Sequence, residues 1–434
     1  MNDRFDLDLT AWIDSETEAM APSWLHERAI ARAIRAPQRP GWRVRVGTLW
    51  DGPGRSTSGR QRLLLLASVM ALLALAGGVV WMLGSRPESV LPSVRNGQIL
   101  VARTTDGQMS QYLTMDPDGS NERLLFEAQE CGQCAFWSPD GSSILIPELT
   151  DGRLTTAIVR ADGAAKVVLQ PLPGSTVNLG PGGWSPDGSL VAFAGWDDTD
   201  PSRRGIYVAA PDGTGLRQVS RSEDGRPHDW TTFSPDGSRI LFIAEDQVNP
   251  SSGGIAGDLM IVSVDGTGQR QINPMGTKVV ATVRAGRPMD WSPDGLRIAF
   301  AATEGNLDDG RSAVFLVSAD AGAPVRTTDP QDWVNSVDWA PSGDLILSGD
   351  STGGMDSIWT VDASSRERDV LWTSTPNDSA CCGAWSPDGR LILFERGQPN
   401  RLDLWTMRAD GSVVGQITRT PADYVWYSWT VETE

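Results

Sequence analysis

From about residue 97 the chain alternates short apolar runs with polar turns at a steady interval. One set of runs comprises Ile144–Ile146, Leu190–Phe193, Ile240–Phe242, Ile298–Phe300, Leu345–Leu347 and Leu391–Phe394. Each follows a pentapeptide of the form aromatic-Ser-Pro-Asp-Gly, starting at Trp137, Trp184, Phe233, Trp291, Trp339 and Trp385; the copy at Trp339 reads Ala-Pro-Ser-Gly after its tryptophan. The copies are 47, 49, 58, 48 and 46 residues apart, the period of a four-stranded propeller blade. Pro-Asp-Gly supplies a tight turn, with glycine taking the positive φ that a side chain resists. A second kind of turn, Asp-Gly, follows a second run: Ile206–Val208 before Asp212, Met260–Val262 before Asp265, Leu404–Met407 before Asp410. An aromatic recurring at one position of each repeat is expected to pack between neighbouring sheets.

One unit lacks its pentapeptide. Ile99–Ala102 and Tyr112–Met115, before Asp118-Gly119, have no copy ahead of them, whereas Tyr424–Val431, aromatic and β-branched, stands alone at the other end of the chain. A C-terminal strand that completes an N-terminal sheet closes a ring and hides its edges. The expected fold is therefore all-β, a seven-bladed propeller over residues 97–434, with six blades as the alternative.

Ahead of the repeats, Leu63–Gly84 is a run of 22 residues without a charge. As a helix it would span roughly 33 Å, enough for a bilayer core. Nine arginines and one acid, Asp51, lie between Arg28 and Arg62, so the positive-inside rule puts residues 1–62 in the cytoplasm and the repeats outside. The expected organisation is a cytoplasmic tail (1–62), a transmembrane helix (63–84), a linker (85–96) and an extracytoplasmic propeller (97–434), a single-pass protein of the cell membrane. Within the tail, Trp24–Arg35 has the apolar spacing of a helix, and Gln38–Gln61, rich in Arg, Pro and Gly, reads as a tether.

The pentapeptide, the strand after it and the Asp-Gly turn together resemble the TolB-type propeller repeat, a relative of the WD repeat. The resemblance covers about 345 residues and implies the fold; TolB propellers are periplasmic and six-bladed, with an α/β domain ahead of them that has no counterpart here. The tail pattern Ala11-Trp12-Ile13, Ala21-Pro22, Leu25, Arg39-Pro40 and Trp42 resembles the tails of bacterial membrane propellers and anti-sigma-like proteins, which implies a sigma factor as cytoplasmic partner.

Charge narrows the outer partner. The whole chain carries −18, but residues 1–86 carry +3 and the remainder −21. An acidic body argues against nucleic acid, whose phosphates need a positive face. The connections opposite the pentapeptides are longer and hold acid clusters, and residues ahead of the repeated aromatics are expected to reach the channel from that face. The ligand-binding candidates are Asp197, Asp198, Asp229, Asp290, Trp333 and Asp338, for a protein, peptide or cell-wall ligand. No metal site and no cofactor are expected: Asp116, Asp118 and Asn121 form only a fragment of a calcium loop. Cys131, Cys134, Cys381 and Cys382 are expected to be oxidised outside the membrane, as one bridge across C-x-x-C and one vicinal bridge; a four-thiolate zinc site would need both pairs to meet across a blade. With one histidine in the repeats, His228, and no Gly-x-Ser-x-Gly elbow, no catalytic residues and no enzymatic activity are expected, a carboxylate-only lyase or glycosidase being the alternative.

Overall fold

The computed structural model describes residues 95–432 except 105–108, 130–134, 170–175, 249–254, 282–286, 305–311, 321, 330–333, 353–354, 376–377, 399–400, 413 and 421–422. The tail, the apolar run 63–84, Trp333, Cys131 and Cys134 lie outside the described residues. Among the described residues no helix is long and apolar enough to cross a membrane.

The described chain is almost entirely antiparallel strand, in four-stranded meanders. A representative unit runs Asn178–Trp184, Val191–Trp196, Gly205–Ala209 and Arg217–Gln218, each strand paired with the next. Number the units by their inner strands: unit 2 begins at Phe136–Trp137, unit 3 at Asn178–Trp184, unit 4 at His228–Phe233, unit 5 at Met289–Trp291, unit 6 at Val334–Trp339 and unit 7 at Ser379–Trp385. Unit 1 is discontinuous. The C-terminal strand Asp423–Glu432 pairs antiparallel with Arg95–Thr104, with Leu100 opposite Ser428 and Val101 opposite Tyr427. The closure expected from the isolated aromatic strand is present.

By hydrogen bonding the strands form six sheets, because units 4 and 5 are joined into one of nine strands. The joint is an extra strand, Thr277–Ala281, which pairs with Ile255–Gly257 on one side and Ala302–Glu304 on the other. Lys278 on that strand bonds Asp246 (2.5 Å) and Asp258 (2.9 Å), and Arg226 also bonds both, at 2.6 and 2.7 Å. The network fixes the joint to unit 4.

The pentapeptide folds the same way wherever it is complete. In the first copy the Gly141 N–H donates to the Ser138 carbonyl (2.9 Å). The Ser138 hydroxyl donates to Asp140 (2.5 Å) and accepts from the Ser143 N–H (2.9 Å), while Asp140 also accepts from the Ser142 N–H (3.0 Å). The degenerate copy keeps only the backbone part, Gly343 N–H to the Ala340 carbonyl at 2.8 Å. Antiparallel meandering puts these turns and the Asp-Gly turns on one face, and the remaining connections on the other.

Second strands are apolar on both faces: Ile99 to Ala102, Ile240 to Ile243 and Ile298 to Ala301 are all fully buried. Such a strand needs a neighbour on each side. One apolar cluster fills each successive boundary, from units 1 and 2 through to units 7 and 1, where Ile99 and Val101 meet Leu393, Leu404 and Ile417.

The last boundary is also tight at its rim. Gly119, at φ +81° in the Asp-Gly turn of unit 1, lies where a Cβ would come within 2.1 Å of the Ile417 carbonyl oxygen of unit 7. Gly152 has a similar φ, +77°, with nothing near its missing Cβ. Gly152→Ala therefore reports only the backbone cost of positive φ, on the order of 1 kcal/mol, whereas Gly119→Ala adds an overpacking cost of about 1–3 kcal/mol. Urea unfolding should show the larger loss for Gly119→Ala; equal losses would mean that the boundary between units 7 and 1 is loose.

Candidate functional site

The acids expected to face the channel fall into two groups with different surroundings. Asp290 and Asp338 each sit one residue before the tryptophan that ends the inner strand of units 5 and 6. Their carboxylates reach sideways. Asp290 accepts from the Trp339 N–H of unit 6 (2.9 Å) and from its own neighbour, the Trp291 N–H (2.9 Å); Asp338 accepts from the Trp385 N–H of unit 7 (2.6 Å). Each therefore ties its inner strand to the next one.

Burial pushes both carboxyl groups up. Asp338 rises to about 7, because it is desolvated and also meets the negative charge of Asp290; Arg287 opposes both effects. Asp290 is raised by burial, against which Arg287 and the two backbone N–H groups work. Both members of the pair therefore bind a proton more readily than an ordinary aspartate. Across unit 7 lies Tyr427, whose hydroxyl is raised well above its usual range by burial and by Glu395 and Asp338.

The second group lies toward the opposite, long-connection end of unit 4. Asp229 pairs in register with Ile243, and Glu245 follows two residues later on the adjacent strand. The inner strand bulges here, with Trp230 at φ +59°. Glu245 is pushed up to about 7 by burial and by the charge of Asp229, and Asp229 is raised by burial despite accepting from the Trp230 N–H (2.7 Å). Neither carries an ion pair among the described residues, unlike Asp258 and Asp246 nearby. Beside them His228 is buried, its ring bonded to Ser220 (2.9 Å), and burial lowers it to about 4, so it is neutral at physiological pH.

The remaining candidates separate as clearly. Asp197 is 1% exposed and fully engaged: it accepts from the Thr176 hydroxyl, from the Thr199 N–H (2.9 Å) and hydroxyl (2.7 Å), and it meets Arg203 at 3.4 Å. Those bonds, Thr176 first, lower it to about 2. It organises its own loop. Asp198 beside it is exposed. Trp333 lies outside the described residues. Cys382 is disulfide-bonded and sits at φ +63° on the inner strand of unit 7, among Tyr424, Tyr427 and Leu393. The sequence reading counted Glu245, with Asp246, among the acid clusters of the long connections without choosing it as a binding residue, and it did not single out Arg287, Glu395 or Tyr427.

No protein-family profile matches the chain. A stretch of 91 residues, 21% of the chain, is 35% identical to 20% of the Tol-Pal system protein TolB of Anaeromyxobacter dehalogenans strain 2CP-C. A stretch of 130 residues, 29% of the chain, is 29% identical to 41% of an uncharacterized protein of Agrobacterium fabrum strain C58. The chain thus spans less than half the length of either relative. Among solved structures, a puromycin hydrolase mutant superposes with TM-score 0.54 at 17% identity, over 76% of this chain and 54% of that one. A prolyl endopeptidase gives 0.54 at 13%, over 78% and 49%, and an oligogalacturonate lyase in complex with manganese gives 0.50 at 14%, over 75% and 86%. The fold is a TolB-like β-propeller.

The expectation of no enzymatic activity is corrected by these likenesses, since hydrolases and a lyase carry the same propeller fold. The grounds for it were the scarcity of histidine and the missing nucleophile elbow. Neither bears on chemistry done by paired carboxyl groups, and such a pair is present in Asp290 and Asp338.

The raised carboxyl groups leave a signature in stability. Between an unfolded value near 4 and a folded value of about 7, the folded chain holds a proton that the unfolded chain has released. Stability contributed by Glu245 and Asp338 is thus full below about pH 4 and is lost as the pH rises toward 7. The pentapeptide acids act oppositely: Asp187 and Asp236, lowered to about 2 by their serine hydroxyls, contribute stability above about pH 4 that disappears between pH 4 and 2. The urea midpoint should fall between pH 5 and 8 in the native chain and flatten in the double variant Glu245→Gln, Asp338→Asn. An unchanged slope in the variant would place these carboxyl groups in ordinary solvent.

Proposed function

We propose that the protein is a seven-bladed propeller that binds a cationic ligand, such as a basic peptide segment, on its long-connection face. The observation that carries this reading is the Asp229–Glu245 pair: two carboxyl groups held close, desolvated, and without a counter-charge among the described residues. A bound ammonium or guanidinium group would supply that charge. Seven four-stranded units and an apolar cluster at each boundary support the blade number. In this reading Leu63–Gly84 anchors the propeller outside the cell membrane and residues 1–62 face the cytoplasm. Binding of a sigma factor by that tail, which would make the propeller a sensor, rests on the tail's sequence alone.

A second reading, favoured by the Asp290–Asp338 pair, is carboxylate catalysis of a lyase or hydrolase kind. Asp290 accepts from two backbone N–H groups, and Asp338, which feels its charge, is raised to about 7, the range in which a carboxyl group can exchange a proton near neutrality. The oligogalacturonate lyase and puromycin hydrolase likenesses suggest acidic oligosaccharides and aminoacyl amides as substrates to assay, with Asp338→Asn as the variant that should stop turnover without unfolding the chain.

Binding is tested by calorimetric titration of the full-length chain with trilysine. Because Glu245 must lose its proton to meet a cation, affinity should rise about tenfold between pH 6 and 8. Glu245→Gln should remove that pH dependence, and Asp229→Asn should weaken binding at both pH values. Equal affinities in native chain and variants would place the site elsewhere.

A further inference from the structure

The pentapeptide face carries an arginine at one repeat position in two units, where leucine stands in units 3, 6 and 7 and serine in unit 2. Arg239, six residues after Phe233 in unit 4, lies over the Trp291 ring of unit 5, 5.1 Å from its centre. Its guanidinium donates to the carbonyls of Gly295 (3.3 Å) and Ala319 (3.2 Å) and pairs with Asp320 (2.9 Å). Arg297, at the same position in unit 5, lies 4.8 Å from the Trp339 ring centre and donates to the Gly343 carbonyl (3.1 Å). Both tryptophans are buried, at 5% and 4% exposure.

At the boundary of units 2 and 3 the equivalent position is Ser143, six residues after Trp137. Every partner that Arg239 uses has its counterpart across that crease. Trp184 stands for Trp291 and Gly188 for Gly295. Register carries the match further: Tyr207 opposes Phe193 as Phe315 opposes Phe300, so Pro211 and Asp212 correspond to Ala319 and Asp320. The serine leaves an open groove of about 790 Å³, lined by these same residues with Pro139, Pro186, Ile158 and Val167. Trp184 is correspondingly half-buried, and Val167 is 52% exposed.

We propose that this groove docks an arginine side chain from a polypeptide partner. The guanidinium would stack on Trp184, donate to the Gly188 and Pro211 carbonyls and pair with Asp212, as the chain's own arginines do at the boundaries of units 4 and 5 and, in part, units 5 and 6. The groove rim carries Asp140, Asp187 and Asp212, whose hydrogen bonds hold each of them below the usual carboxylate range, so the rim stays negative at any physiological pH. A guanidinium is favoured over an ammonium because it offers a flat face to the indole and several donors in one plane. The site lies on the face opposite Asp229 and Glu245, so it stands or falls independently of the cationic-ligand reading above.

The test uses the full-length chain labelled with 5-fluorotryptophan, with the Trp184 resonance assigned from Trp184→Phe. Titration with N-acetyl-arginine-N-methylamide should shift that resonance saturably, and N-acetyl-lysine-N-methylamide should bind at least threefold more weakly. Ser143→Arg fills the groove from within: it should abolish the shift and raise the melting temperature. Asp212→Asn, an exposed change, should weaken arginine binding several-fold with the fold intact. Equal response to arginine and lysine, or an arginine response that survives Ser143→Arg, overturns the proposal, as does the absence of any shift.

Discussion

A four-stranded sheet whose second strand is apolar on both faces cannot stand alone in water, and everything else in this molecule follows from that constraint. Ile240 to Ile243 illustrate it: four consecutive side chains, two to each face, all fully buried. Each face needs a neighbouring sheet, the last sheet needs the first, and the chain meets this by sending Asp423–Glu432 back to pair with Arg95–Thr104. At roughly 25 cal/mol per Å² of apolar surface removed from water, boundaries of this kind dominate the stability of a ring of sheets. Polar groups then fix the angle at which sheets meet. Asp290 and Asp338 reach to the next inner strand, and Arg239 and Arg297 lie across the next tryptophan.

That division of labour separates the acids by their partners. Asp290 and Asp338, each one residue before a repeated tryptophan, tie their inner strand to the next, and burial raises the proton affinity of both. Asp229 sits three residues further from its turn, past a bulge, and among the described residues accepts only from its own neighbour, the Trp230 N–H. With Glu245 it forms a pair of raised carboxyl groups, without an ion pair among the described residues, toward the long-connection end of unit 4. The creases differ in the same way: arginine crosses to the next tryptophan from residues 239 and 297, whereas Ser143 is too short to do so and lines a groove.

The fold was legible in the sequence because its signals are local. Ser-Pro-Asp-Gly closes its own turn through bonds within seven residues, so Trp137 to Gly141 announces a strand–turn–strand wherever it occurs. Closure was legible because Tyr424–Val431 had no partner strand nearby. The site was legible only in part. Asp197 looked like a ligand-binding acid, but Thr176, Thr199 and Arg203, the first of them 21 residues away, already occupy it. Asp290 and Asp338 looked like ligand-binding acids near the channel, and their use as ties depends on N–H groups 49 and 47 residues onward. Such distances have no local signature. The joining strand Thr277–Ala281, which merges units 4 and 5 into one sheet, was hidden for the same reason: its partners lie on either side of it in different units.

Mutual burial of neighbouring sheets is the central claim, and amide hydrogen exchange tests it most directly. Exchange would be followed by mass spectrometry in the full-length chain and in a chain ending at residue 422. If each unit depends on its neighbours, removing the closing strand strips protection from Ile99–Ala102 in unit 1 and also from Leu391–Phe394 in unit 7, a strand it does not pair with. Loss confined to unit 1, with unit 7 protected as before, would contradict the account and make each sheet stable by itself.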